Sequence, residues 1–581
     1  MLIIFNDLQM AIELQKRSRS FEIMKLFNNI FCIQVVLLLA PVYAGNLSKD
    51  LQNLAGTATV NVIVQFNSAP SAITLNSVTS KGGSLKKQFK KIPGAVYSLP
   101  TAAVNDILNN MNVKFASLDR PVKGALDYAN PAMNANLAFS SGWTGAGVGI
   151  AVIDSGVDPN NPDVGNRVVY SASFIPGDAS TTDAFGHGTH VAVIAAGNAS
   201  ASTGNNATRT FRGMAPSAKI INLRVLDANG AGTDSQVIAA IEQAIALQST
   251  YNIRVINLSL GRGIQESYQL DPVCQAVEKA WNAGIVVVAA AGNGGRDNSM
   301  GTNGYGTIAS PGNDPYVITV GALKDLKTTT RADDVIASYS SKGPTLLDQI
   351  VKPDVVAPGN LIISGNVPNS TVTTLYPNNV VPKSYYLANN SAQISSAYFT
   401  LSGTSMATPM VSGTAALMLG KDPTLTPDQI KARLMKTATK TFPWAWSTTD
   451  PISAVTYTGY HDIFTVGAGY VDANAALNDS TVSAGTALSP RALFNSTTGA
   501  ASLDYSYVAG ASVIWGSSVI WGNSVIWGSS VIWGSAANNL TQGSSVIWGS
   551  STSSGFSVIW GSSVIWGSTS LFDTALATRG E

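Results

Sequence analysis

Three patterns of apolar and polar positions follow one another along the chain. Between residues 45 and 125 the segments are short and mixed. In "VNVIVQF" (Val60–Phe66) apolar residues fall on every second position, and "GAVYSLP" and "VKFASLD" read similarly as strands with one buried face. "SLKKQFKKI" and "TAAVNDILNNM" read as helices. From about 130 to 478 the strand-like runs become almost continuously apolar: "VGIAVID", "AKIINLRVL", "IRVINLSL" and "GIVVVAAAGN". Helical stretches such as "SQVIAAIEQAIALQ" and "DPVCQAVEKAWNAG" separate them. Strands that are apolar throughout are buried on both faces, so this region predicts an α/β fold, a parallel sheet flanked by helices. Such sheets place their sites at the carboxyl ends of the strands.

The third pattern is a repeat. "SVIWG" occurs seven times, starting at 512, 518, 524, 530, 545, 557 and 563. Four-residue units "SVIW", with Gly-Ser or Gly-Asn between them, predict short strands joined by two-residue turns, or the coils of a small β-solenoid. The competing reading is an aggregation-prone tail without a fold. As a β-rich appendage with exposed Trp, the segment would attach the protein to a surface, to a polymer or to another copy of itself.

Length and composition add boundaries. The 581 residues exceed one core. A net charge of +1 gives no electrostatic case for a nucleic-acid partner. Lys16, Arg17, Arg19 and Lys25 precede the apolar run Ile30–Ala40 and "PVYAG", the pattern of a secretory signal over 1–44, with Met24 as an alternative start. The expected protein is therefore secreted or bound at the cell surface. Processing would remove Cys32 and leave Cys274 alone, without an intrachain disulfide. The expected organisation is a signal (1–44), a small α+β unit (45–125), a main α/β domain (131–478), a linker (479–511), the repeats (512–568) and a tail (569–581).

The candidate chemistry starts from scarcity. The chain has three histidines, and two stand in "DAFGHGTHVA", at 187 and 190. Zinc proteases use two His four apart with a Glu between, which is absent here. A histidine base needs an orienting acid, and Asp154 ends the apolar run "VGIAVID" before Ser155-Gly156. A nucleophile would be Ser405 in "LSGTSMATPM", at the mouth of an apolar helix whose N–H groups suit a developing oxyanion. Asn293, ending "VVVAAAGN", could donate to the same oxygen. Each residue also has a plain structural explanation, as a helix cap or a turn residue. A lipase-like hydrolase would need a Gly-x-Ser-x-Gly elbow and the order Ser, Asp, His, and neither fits.

The order Asp, His, Asn, Ser, carried by "DSG", "HGTHVA", "AAGN" and "GTSMATPMVSG", resembles that of the subtilisin-like serine proteases over about 131–478. The resemblance implies that Asp154 orients, His187 acts as base, Ser405 attacks and Asn293 donates to the oxyanion. It further implies that Ser259, Leu260 and Gly261 pair with the substrate backbone. Ala290, Ala291 and Gly292 would line a roomy, uncharged specificity pocket. The partners are then protein or peptide substrates, and the 45–125 unit resembles the family's inhibitory propeptide. No cofactor is needed for the chemistry. The resemblance leaves structural calcium open: Asp163 in "NNPDV" matches a calcium-ligand position, but one carboxylate does not make a site, and the family's usual calcium loop after the His helix is not legible in "GNASASTGNNATRTFRG". Two further features depart from the family pattern: Val193 stands where many members have Gly, and 362–400 is a polar insertion. The competing function is an attachment protein whose Trp repeats bind and whose protease domain serves only maturation.

Overall fold

A computed structural model describes residues 46–47, 51, 59–88, 93–107, 110, 112–118, 126–388, 394–443, 445–450, 454–480, 485–495 and 500–504. The signal-like segment and the SVIWG repeats lie outside the described residues. The chain divides into two compact units, Met1–Val122 and Lys123–Glu581.

In the first unit, β1 (Asn46–Leu47), β2 (Thr59–Phe66), β3 (Ser84–Gln88), β4 (Gly94–Pro100) and β5 (Val113–Leu118) form one sheet in the order β1-β5-β2-β4-β3. Val62, Val64 and Phe66 of β2 point to one side and pack with Leu75 and Val78 of the Ala72–Thr79 helix. The expected helix "SLKKQFKKI" is instead a strand over Ser84–Gln88, paired with β4. Pairing with β4 outweighs its helix propensity, and Lys86 and Lys87 stand exposed on the sheet edge, where charge discourages further pairing.

The second unit is built on β6 (Gly149–Asp154), β7 (Val168–Ser173), β8 (Lys219–Arg224), β9 (Ile253–Leu258), β10 (Val286–Ala290), β11 (Ile318–Lys324), β12 (Val335–Ile336) and β13 (Val355–Pro358). The sheet runs β12-β11-β10-β9-β6-β8-β7, with β13 also on β11, and every pairing is parallel except β11 with β12. This is the expected α/β architecture. From β6 the chain first builds outward to β7 and β8, then crosses to β9, β10 and β11 on the other side. That reversal opens a crevice at the carboxyl ends beside β6. The Thr404–Lys421 helix is buried almost all round and packs on β9, β10, β11 and the His187–Ala196 helix.

The 362–400 insertion forms an antiparallel sheet, β14 (Ile362–Gly365), β15 (Val380–Pro382) and β16 (Ile394–Leu401), with a short helix at Thr371–Leu375. β14 packs on the His187–Ala196 helix, where Gly365 makes room for Val193: a Cβ on Gly365 would lie 2.7 Å from Val193 Cγ2. The Val193 and 362–400 departures from the family pattern thus meet in space. Part of the expected 479–511 linker is ordered. Ala487, Ser489 and Ala492 are buried, and β17 (Arg491–Asn495) pairs with β18 (Ala500–Asp504).

Candidate active site

Asp154, the last residue of β6, is wholly buried. Its Oδ1 accepts the Ser155 N–H at 2.7 Å and lies 2.8 Å from His187 Nδ1. An ionised carboxylate only accepts, so Nδ1 carries a proton, and in the neutral ring Nε2 keeps its lone pair. His187 opens its helix directly after Gly186, whose φ of +100° favours glycine. Burial disfavours the charged imidazole, but the Asp154 charge and hydrogen bond, helped by Asp183, more than offset this and raise its pKa above 6.5.

Ser405 is the second residue of the Thr404–Lys421 helix and the first of that run to reach the surface in part. Its hydroxyl donates to the Ser259 carbonyl at 3.2 Å, and the Ser259 hydroxyl donates to the Ser405 carbonyl at 2.8 Å. Among the described residues no hydrogen bond joins Ser405 to His187. Asn293 Oδ1 accepts from the Thr404 N–H (3.0 Å) and the Thr404 hydroxyl (3.1 Å), which turns its NH₂ group the other way. A Cβ on Gly403 would lie 3.5 Å from Asn293 Nδ2 and 3.6 Å from the Ser405 nitrogen. The two donors therefore border the same position, the one a Gly403 Cβ would take.

The remaining expected site residues lie at the ends of neighbouring strands. Ser259, Leu260 and Gly261 follow β9. Ala290 ends β10, and Ala291 and Gly292 follow it. The Ala291 N–H donates to Val320 (3.0 Å) and its carbonyl accepts from Ala309 (2.9 Å), so its backbone groups serve the fold. Gly292 has φ +104°, and a Cβ there would lie 2.9 Å from Ser341 Oγ.

The profile of the Subtilase family (peptidase S8) matches residues 145–467. The chain is 38% identical over 379 residues to the serine protease AprX of Bacillus subtilis (strain 168), covering 64% of this chain and 78% of that protein. It is 36% identical over 386 residues to subtilisin E of the same organism, covering 65% and 84%. It is also 36% identical over 308 residues to subtilisin Savinase of Lederbergia lenta, covering 53% and 89%. The chain belongs to the subtilase family. It is a serine endopeptidase of subtilisin type.

Within this subtilase the other two histidines are structural in their contacts. His190 is fully buried, with Nε2 donating to the Ile362 (3.2 Å) and Phe399 (3.1 Å) carbonyls, and burial lowers its pKa to about 3. His461 accepts from the Ile336 N–H at 3.2 Å and donates to the Pro443 carbonyl at 2.7 Å. Sequence reasoning missed the supports of the site. Thr404 takes the Gly292 N–H (3.2 Å) and fixes the Asn293 amide. Asn257 links Ser259 (2.9 Å) to Ser412 (2.8 Å). Asp183 organises the turn before His187. The only sequence signal for Asp183 is its place at the head of "DAFGHGTH".

The calcium expectation at Asp163 does not fit. Its carboxylate is wholly buried and already filled by protein donors: the Ala201 N–H at 2.8 Å, the Tyr398 hydroxyl at 2.6 Å and, more weakly, the Ser200 hydroxyl at 3.4 Å. The Arg167 guanidinium beside it donates to the Asp163 and Ala196 carbonyls. A calcium ion needs six to eight oxygens directed at one point. Among the described residues no three His, Cys, Asp or Glu side chains are so arranged.

Proposed function

We propose that this subtilase cleaves peptide bonds with Ser405 as nucleophile, His187 as general base and Asp154 as the group that orients the imidazole. The observation that carries the reading is the 2.8 Å contact of Asp154 Oδ1 with His187 Nδ1, which leaves Nε2 free to accept a proton. The Ser405 hydroxyl turns from the Ser259 carbonyl toward Nε2, and such contacts commonly tighten only with substrate bound. The Ser405 Oγ–H proton passes to Nε2 as Oγ bonds to the scissile carbonyl carbon. The carbonyl oxygen becomes the oxyanion between the Asn293 amide and the Ser405 N–H. Nε2–H then protonates the leaving amine, and water repeats the cycle to free the acid. Ser259–Gly261 pair with the extended substrate backbone, and the small uncharged Ala290, Ala291 and Gly292 leave a pocket that suits large apolar or mixed side chains. No cofactor enters these steps.

The reading extends to the rest of the chain. The protein is made with a signal over 1–44 and secreted or held at the cell surface. The 45–125 unit is an inhibitory propeptide removed by the enzyme's own site, and the repeats serve attachment. The attachment-only alternative is weaker because all four residue types of the site are intact. Ser405→Ala should abolish hydrolysis of casein and leave the full-length precursor uncut, as a serine-directed phosphonate should with the native protein. Residual peptide hydrolysis by purified Ser405→Ala protein would sink the assignment. Lost hydrolysis with continued processing would assign maturation to another protease.

A further inference from the structure

Backbone N–H groups at a helix start lack partners within the helix. At the start of the His187–Ala196 helix two side chains take three of them. Asp183 Oδ1 accepts from Gly186 at 2.6 Å, Asp183 Oδ2 from Thr189 at 2.7 Å, and Ser155 Oγ from Gly188 at 2.9 Å. Ser155 passes its own hydroxyl hydrogen to Asp183 Oδ1 at 2.8 Å. Ser155 directly follows Asp154, so this pair straps the His187 turn to the strand end that carries its acid. The fit has no slack: a Cβ on Gly188 would lie 2.2 Å from the Gly156 carbonyl oxygen and 3.1 Å from Asp154 Cβ.

A capping hydroxyl alone would satisfy a helix start, whereas a buried carboxylate is costly unless its lone pairs are filled. Asp183 is 1% exposed. All the partners given above are donors, the Ser155 hydroxyl included because its own lone pair serves Gly188. Burial pushes the Asp183 pKa up, while the Thr189 and Gly186 N–H groups and the Ser155 and Thr189 hydroxyls pull it back. Burial wins and the net shift is upward, yet among the described residues every partner of the carboxyl group is a donor, so the hydrogen-bond geometry suits the ionised form. The titratable groups acting on His187 are Asp154 from β6, Asp183 from the preceding turn and the neutral His190 one turn along.

We propose that Asp183 is a positioning residue for the reaction: through Ser155 and the Gly186 and Thr189 N–H groups it sets His187 against Asp154, and its charge favours the imidazolium formed when Ser405 is deprotonated. The proposal rests on the reading of His187 as the base. The tests are active-site-titrated kinetics of Asp183→Asn and Ser155→Ala, and proton NMR of the His187 Nδ1–H against pH in full-length Ser405→Ala protein. Asp183→Asn should lower kcat about 10²-fold with KM nearly unchanged, because a misplaced base affects the transition state alone. It should also move both the acid limb of kcat/KM and the His187 titration to lower pH. Ser155→Ala keeps the charge, so it should lower kcat by about tenfold and leave the titration in place. A folded Asp183→Asn protein with native kcat and an unmoved titration would overturn the proposal. If Asp183→Asn fails to fold, Ser155→Ala decides: native kcat overturns it, and a kcat fall at constant KM supports it. His187→Ala separates the two levels. Retained hydrolysis there removes His187 as base, whereas an inert His187→Ala protein beside a native-like Asp183→Asn protein removes only the role of Asp183.

Discussion

Asp154 and Asp354 are both buried carboxylates of the same domain, and the protein treats them oppositely. Asp354 is saturated. Its Oδ2 accepts from Lys352 Nζ (2.8 Å) and the Thr319 N–H (2.8 Å), and its Oδ1 from the Ser489 hydroxyl (2.5 Å) with Lys431 Nζ 3.3 Å away. Burial alone would raise its pKa, but the two ammonium groups hold it below the usual carboxylate range. Lys431 is filled as well, donating to the Pro315 (2.8 Å), Tyr316 (3.2 Å) and Val317 (3.1 Å) carbonyls. Asp154 has two donors on Oδ1, and its Oδ2 has no partner among the described residues. A charge that only holds structure can be fixed on all sides. On the proposed mechanism, Asp154 is a charge that must answer a proton arriving on its neighbour, and it keeps capacity in reserve.

Matched substitutions test this contrast, and they carry the largest expected effects. Asp154→Asn should reduce kcat about 10⁴-fold by allowing the wrong imidazole tautomer, with little change in unfolding temperature. Asp354→Asn should cost about 3–5 kcal/mol of stability, because buried Lys352 loses its carboxylate partner and Lys431, whose pKa burial already lowers to about 7, loses the charge that holds it up. Thermal unfolding with kcat measured on titrated sites would check both. The contrast fails if Asp154→Asn loses its fold or if Asp354→Asn unfolds at the native temperature.

The same division explains what the sequence revealed. The strands were legible because a parallel sheet buried on both faces leaves unbroken apolar runs such as "VGIAVID". Asp154, His187, Asn293 and Ser405 stood out as candidates because each sits in a short stretch whose glycines serve its own turn, Gly186 and Gly403 most directly. The supports were not legible. Ser489 lies 135 residues from Asp354, and Tyr398 lies 235 from Asp163. No local period records such a contact. "SLKKQ" misled because its helix propensity is local while its β4 partner is not.

A second test uses chain length. Ser489 bonds to both Asp354 and Lys431 (2.9 Å), and its neighbour Pro490 accepts the Val351 N–H at 2.8 Å. A chain ending after Ala484 should lose about 1.5–3 kcal/mol for each of the two charged hydrogen bonds and admit water to the cluster. A chain ending after Tyr505 keeps them, and should match the full protein in stability and in hydrolysis of a soluble peptide while losing retention on an insoluble substrate or cell surface. Equal unfolding temperatures for the two truncations would remove 485–504 from the structural unit. Loss of peptide hydrolysis in the longer one would place the repeats within the catalytic unit.

The smallest expected effect concerns Asp163, which stands between the two extremes. It is saturated like Asp354, but by neutral donors. The Tyr398 hydroxyl fills its Oδ2 and also meets Ser202 Oγ at 2.8 Å, whose oxygen takes the Phe211 N–H at 2.9 Å. One phenol thus ties the inserted β16 to the loop after the His187–Ala196 helix. Tyr398→Phe removes that link and leaves Oδ2 buried without it, a loss of about 1.5–3 kcal/mol seen as a lower unfolding temperature. Peptide hydrolysis at 25 °C should be unchanged, because the link touches neither His187 nor Ser405. If Tyr398 does the work a cation would otherwise do, a chelator should leave the unfolding temperature of the native protein where it is. A chelator-induced fall that added calcium reverses, equal in the native and Tyr398→Phe proteins, would instead mean that a cation elsewhere carries this stability and that saturating Asp163 with protein donors did not replace it.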